Sequence, residues 1–252
     1  MVAKFIGQSF APRRRALLQG GCLLLLPFLS NCSVLEREDS IRYRITLYIE
    51  TPQGLVSGSS VWEARLRDAW LSSPYGTVRW GYSGEAVAID LPGGTLFALM
   101  ETPYSGELPF KIMQSRLGSE YREQPDWHET WKLAWPRWKR EKLHFELPED
   151  DYPLLVRFRD ARDPSTVESV DPYDLAASFG RGVTLKRITI QITDDPITTG
   201  IWRRFPWWQN YRERNLDGSD SSVTDMVTKD ISARLSWGSF STEFRKMHPD
   251  KS

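Results

Sequence analysis

Cysteine is almost missing from this chain. Its 252 residues hold two, Cys22 and Cys32, and both lie within the first 32 positions. From Ser33 onward no disulfide framework and no thiolate metal site can form. Histidine is scarce as well, with only His128, His144 and His248. No glycine-rich phosphate loop follows a strand-like run: Gly93-Gly94 is a turn. A Gly-x-Ser-x-Gly nucleophile elbow is lacking too, and Gly58-Ser59-Ser60 does not make one. The formal charge is zero, and Lys4, Arg13, Arg14 and Arg15 are the only charged residues before Ser33. The remainder is therefore acidic by four charges, which excludes the basic field of a nucleic-acid binder. A long hydrophobic run is also lacking. The best stretch, Ala16 to Leu29, is only 14 residues and is interrupted by Gln19, Gly20, Gly21 and Pro27. A spanning helix needs roughly 20 apolar residues.

What is present begins with that short run. Three arginines precede it, as the basic region of a signal peptide precedes its apolar region. Leu29-Ser30-Asn31-Cys32 resembles the lipobox of bacterial lipoproteins, in which the cysteine becomes the acylated first residue of the mature chain. Arg14-Arg15-Ala16-Leu17-Leu18 is similar to a twin-arginine export signal. These resemblances imply residues 1–31 as a signal peptide, lipidation at Cys32, a tether over 32–40 and a folded domain over 41–252. Acyl chains contribute about 0.8 kcal/mol per buried CH₂, so a multiply acylated cysteine anchors a domain that has no span of its own.

The composition after the leader is that of a folded globular domain, at 40% hydrophobic and 26% charged residues over the chain. Ile41, Tyr43, Ile45, Leu47 and Ile49 alternate with Arg42, Arg44, Thr46, Tyr48 and Glu50, the period of a half-buried strand. Pro52-Gln53-Gly54 then predicts a hairpin into a second strand, Leu55 to Leu66. Further strands are expected at Thr77–Tyr82, Glu85–Leu91, Leu143–Leu147, Leu154–Arg159 and Val183–Thr193. Thr95–Met100 is apolar on both faces, as a central strand is. Asp160 to Ser169 is polar and carries no strand pattern. Two or three short helices interrupt the strands. One is capped by Asp126 with Glu129 at its third position, and is stopped by Pro136. Another is capped by Asp171 with Pro172 behind it and ends at Gly180. A third is capped by Ser222 and carries Val223, Met226, Val227, Ile231 and Leu235. The expected fold is therefore mainly β, an antiparallel β-sandwich-like single domain with two or three short helices.

All eleven tryptophans follow the leader, and they cluster with arginine and lysine. Trp127, Trp131 and Trp135 recur along one helical face, with Trp138 just beyond. Ile201–Asn215 holds Trp202, Arg203, Arg204, Trp207 and Trp208. A large aromatic stripe at helical spacing fills core more often than it forms a site. The functional alternatives use Trp127, Trp131, Trp138, Trp202, Trp207, Trp208, Arg203 and Arg204 as a binding surface. Tryptophan with arginine suits a membrane interface, a sugar-stacking platform or the anchors of a protein–protein patch. Acid clusters at Glu149-Asp150-Asp151, Asp194-Asp195 and Asp217–Asp220 lack calcium-loop spacing and read as solvated turns. His128-Glu129 are adjacent on a helix and diverge by about 100°.

The segments Leu155–Asp160, Val170–Val183 and Arg187–Ile201 resemble uncharacterised exported proteins of proteobacteria, a likeness that implies localisation and no activity. The expectation is an exported lipoprotein, anchored on the periplasmic side of the cell envelope, that acts as a non-enzymatic protein-binding or structural component. Its partners would be the membrane, through the lipid anchor, and an envelope protein, with no nucleic acid, cofactor or metal. A carbohydrate- or lipid-binding module using the Trp/Arg clusters is the first alternative, and a hydrolase with an unrecognised site is the second.

Overall fold

The computed structural model describes residues 38–68, 78–103, 107–120, 127–220 and 230–243. Contacts divide the chain into Met1–Leu35 and Glu36–Ser252, and every element below belongs to the second unit. The leader, Cys32 and most of the expected helix at Ser222 lie outside the described residues. Among the described residues, no helix is long and apolar enough to cross a membrane.

The alternating segment forms β1 (Glu38–Thr51), and its apolar residues from Ile41 to Ile49 are all buried. It starts ahead of Ile41, so the last three residues expected in the tether are strand, paired with Arg65, Leu66 and Arg67. A two-residue turn leads into β2 (Gly54–Asp68). Gly54, at φ 118°, takes the conformation that side chains resist. Then follow β3 (Val78–Ser83), β4 (Val87–Leu91), β5 (Gly94–Ala98), α1 (Leu108–Glu120), α2 (Trp127–Glu141), β6 (His144–Glu146), β7 (Leu155–Phe158), β8 (Val167–Val170), α3 (Leu175–Phe179) and β9 (Thr184–Ile192). The first sheet has the order β3-β2-β1-β9-β6 and the second β4-β5-β7-β8, with every pairing antiparallel. The chain is mainly strand, two antiparallel sheets with three helices in a sandwich-like single domain.

The inner face of the first sheet meets β4 and β5 of the second. Ile41, Tyr43, Ile45, Trp62, Ile188 and Ile190 pack in one core with Ile89, Leu96 and Ala98. Gly58 allows that approach, since a Cβ there would lie 2.4 Å from the Ile89 side chain. The two helices α1 and α2 close the same core with Leu108, Ile112, Met113, Trp131, Trp135 and Trp138. The far face of the second sheet, Phe97, Leu99, Val156 and Phe158, is covered by the C-terminal segment through Ile201, Phe205, Trp207, Leu235 and Phe240. Because β5 lies between β4 and β7 with both its faces covered, the run from Leu96 to Met100 is apolar and buried.

Four local expectations change. Helix α1 was not anticipated, because Gly118, Ser115 and Gln114 interrupt its apolar positions and Pro109 stands in its first turn. Helix α2 passes Pro136 and runs to Glu141. Burial of Trp138, and hydrogen bonds from Trp138 Nε1 (3.1 Å) and Arg137 to Glu120, hold its last turn against the lost N–H. Helix α3 is capped by Asp174, while Asp171 accepts the Tyr173 N–H in a turn ahead of it. Lastly, β8 arises inside the segment read as polar, held by β7 and by a 3.0 Å pair between Arg157 and Glu168. Further on, Ile231–Ala233 is a short 3-10 helix capped by Asp230.

Candidate functional site

The tryptophan clusters divide by depth. Trp131 is buried against Trp80 (4.7 Å between ring centroids) and Trp135 (4.8 Å). Trp138 is fully buried at the α1–α2 contact. Trp207 is buried against Phe205 (4.8 Å) and Phe158 (5.9 Å), and its indole N–H donates to the Ala161 carbonyl at 3.0 Å. Trp208 is partly buried beside Trp237. These rings make core, the alternative set beside the binding readings. Trp202 is 39% exposed, with the Arg203 guanidinium 5.0 Å from the centre of its ring. Arg204 grips Asp90 with two bonds, of 2.8 and 3.1 Å, so it ties the C-terminal segment to β4. Trp127, the first of the helical series, begins α2, and its side chain lies outside the described residues.

A buried carboxylate organises the junction of these parts. Glu85 is 1% exposed. Its side chain accepts from the Ile201 N–H at 2.7 Å and from the Ser241 hydroxyl at 3.0 Å. Its own carbonyl accepts from Ser60 and from Trp62 Nε1, each at 2.7 Å. Burial pushes its pKa above the usual carboxylate range, against the lowering effect of the Ile201, Gly200 and Ser241 donors. One residue thus joins β2, the start of the C-terminal segment and its end.

The outer face of the first sheet is crossed by a strap, residues 193–200. Thr193 N–H donates to the Arg42 carbonyl, Arg44 pairs with Asp195 at 2.6 Å, and Thr198 bonds the backbone of Val61. Val61 points to that otherwise polar face and is only 2% exposed, since the strap lies over it. Beside it, Arg42 and Arg65 both pair with Glu63, at 3.0 and 2.7 Å. Burial raises the Glu63 pKa, but the bonds from Arg65 and Arg42 outweigh this and hold it low.

A cleft of about 550 Å³ lies beside α1, bounded by Lys111, Glu149, Tyr152, Ser169, Tyr173 and Arg234. Pro103, Pro153 and Pro172 give it a rigid, half-apolar wall. Lys111 fixes its floor, bonding the Asp150 carbonyl at 2.9 Å and the Asp151 carboxylate at 3.1 Å. Tyr173 stands 69% exposed at its rim. Burial raises the Tyr152 phenol, and the negative charges of Glu149 and Glu146 add to it. Behind Arg234, burial also raises Glu101, against a Ser239 hydrogen bond and the Arg234 charge. No tryptophan or arginine of the binding surface read from the sequence lines this cleft; Glu149 and Asp150, read as a solvated turn, and Asp171 and Pro172, read as a helix start, do. Its lining comes from five distant segments, and no local pattern announces it.

The acid clusters serve local structure. Glu149–Asp151 forms a 3-10 turn, and Asp217 accepts the Ser219 N–H at 2.9 Å. Among the described residues no group of three or more His, Cys, Asp or Glu side chains could hold a metal ion. His144 is exposed on β6. No protein-family model, curated protein or solved structure matches this chain.

Proposed function

We propose that this chain is an exported envelope protein, anchored to a membrane by acylated Cys32, whose folded domain acts by binding a partner protein in the cleft beside α1. The observation that carries the binding role is the composition of that cleft. Two tyrosines and three prolines offer rigid contact surface, and Lys111, Arg234, Glu149 and Asp171 stand among them. Tyrosine and arginine are the side chains that most often anchor protein interfaces, because they bury large area for little lost freedom. The anchor rests on the lipobox-like sequence before Cys32.

A photo-crosslinking residue at position 173, in cells, tests this. A discrete adduct is expected there, absent when the same group replaces exposed Leu133 on α2 and weakened by Arg234→Glu. Equal labelling from both positions would remove the cleft as the binding site. A carbohydrate or lipid ligand at the second tryptophan cluster has one specific support, the exposure of Trp202 with Arg203 against it.

A further inference from the structure

We propose that the chain forms a homodimer by pairing the open edge of β6 with the same strand of a second copy. Strand β6 ends its sheet and is held on one side, by β9. Leu147 N–H donates to the Ile188 carbonyl and Ile192 N–H to the Leu143 carbonyl, each at 2.8 Å. Phe145, opposite Ile190 and midway between these bonds, turns its backbone to β9 as well. The backbones of His144 and Glu146 therefore point the other way, into the edge. Among the described residues no hydrogen bond satisfies them there. The edge is also accessible: Lys142, His144, Glu146 and Pro148 are all exposed. Leu143 and Phe145, on the core side, are only partly buried, so apolar surface lies uncovered along the same edge.

Backbone bonds alone accept any extended strand, and the order of side chains selects a second copy. Place a two-fold axis between the two Phe145 residues. His144 then lies opposite Glu146 of the second copy, and Glu146 opposite its His144. Such pairs exchange both N–H···O bonds, which satisfies every outward group of both residues. The side chains match too. An imidazole carries an N–H for the carboxylate in either protonation state, and unlike charges facing across two strands favour pairing. At the axis Phe145 meets Phe145 in a pair without ladder bonds, where side chains stand closest. Leu143 faces Leu147. Other registers lose this fit. A slip one way sets Glu146 against Glu146 and His144 against Pro148, which has no N–H. A slip the other way sets His144 against His144. The edge is short, bounded by Lys142 at φ 49° and by Pro148, so the dimer belongs to the weak, transient class. It joins two five-stranded sheets into one and requires neither the lipid anchor nor the cleft.

The test uses the full chain with Cys22→Ser and Cys32→Ser, so that no native thiol competes. One batch carries His144→Cys, and a second, affinity-tagged, carries Glu146→Cys. In the proposed register these positions lie about 5.5 Å apart between Cα atoms, within disulfide reach. Like positions lie about 7–8 Å apart, beyond it. Oxidation of the mixture should give a covalent dimer containing both chains, while each batch alone stays mostly monomeric. Sedimentation of the chain without added thiols, from about 1 μM to 1 mM, should show a monomer–dimer equilibrium. His144→Glu should weaken it about tenfold, because like charges then face each other in both pairs, and adding Glu146→His should restore it. Glu146→Pro should abolish dimerisation without lowering the melting temperature, since that N–H makes no bond within the chain. The charge-swapped chain keeps one acid and one imidazole on the edge, so its recovery separates pairing from any change in folding. A chain that stays monomeric throughout, thiol batches that crosslink equally well alone, or association that the charge reversal leaves unchanged overturns the proposal.

Discussion

Glu85 is held by neutral donors, the Ile201 N–H and the Ser241 hydroxyl, and each lies more than a hundred residues away in sequence. Removing its side chain strands those donors in the interior. Glu85→Ala should therefore cost about 2–3 kcal/mol in urea unfolding. Glu85→Gln keeps an acceptor for the backbone N–H and a donor for Ser241, so at neutral pH it should change little. The two differ from wild type in pH dependence. Burial raises the folded-state pKa of Glu85, so the native chain binds a proton more tightly than the unfolded chain. Its contribution is complete below the unfolded pKa and is lost as pH rises through the folded one. Glu101 contributes in the same direction. The fall in stability from the ordinary glutamate range upward should be shallower in the Gln variant. An unchanged slope would mean that Glu85 does not titrate in that window. Nothing near Glu85 in the sequence marks it. The letters Gly84-Glu85-Ala86 read as a strand entry, and the burial is imposed by segments that arrive later.

At the scale of elements, α2 is the informative one. Trp131 and Trp135 are buried as their helical spacing predicted, and Trp138, expected beyond the helix, is buried in its last turn. The length of the helix was not legible, because Pro136 is a strong local stop and the partner that overrides it, Glu120, lies on another helix. Pro136 is exposed, so Pro136→Ala should restore the N–H to the Lys132 carbonyl without disturbing the core. A gain of about 1–3 kcal/mol in thermal unfolding is expected. A lowered melting temperature would mean that the proline bend is needed to seat Trp138. Strand β8 teaches the same point from the other side. Val167 and Val170 are buried, but the residues between them are polar, and only the β7 edge and Arg157 make that run a strand. The alternating strands β1 and β9 needed no such help.

For the whole molecule, the proposed anchor at Cys32 and the folded domain can be tested separately. Cys32→Ser should abolish acyl labelling and membrane retention while the domain stays folded, read by fractionation and circular dichroism. Retention unchanged by the substitution would instead favour the apolar run before Cys32 as a span. The tertiary arrangement itself depends on the C-terminal segment, which contributes Ile201, Phe205, Trp207 and Phe240 to the far side of the second sheet. Among its described residues the regular structure of that segment is short 3-10 helices, so their order comes from packing and from Glu85, not from propensity.

By itself the sequence determined the fold class and the sides of most strands, because period-two alternation is a local consequence of the pleat and survives in any tertiary setting. It determined that the tryptophans would cluster, and it carried the lipobox-like motif. The sequence could not decide which tryptophans stay at the surface. Trp202 and Trp207 stand five residues apart in one aromatic run, and only the second meets Phe158 across the sheet. Nor could it decide the cleft, which draws Lys111, Tyr152, Tyr173 and Arg234 from separate stretches. It exists only once distant segments are brought together, and long-range packing leaves no periodic trace in a chain read one window at a time.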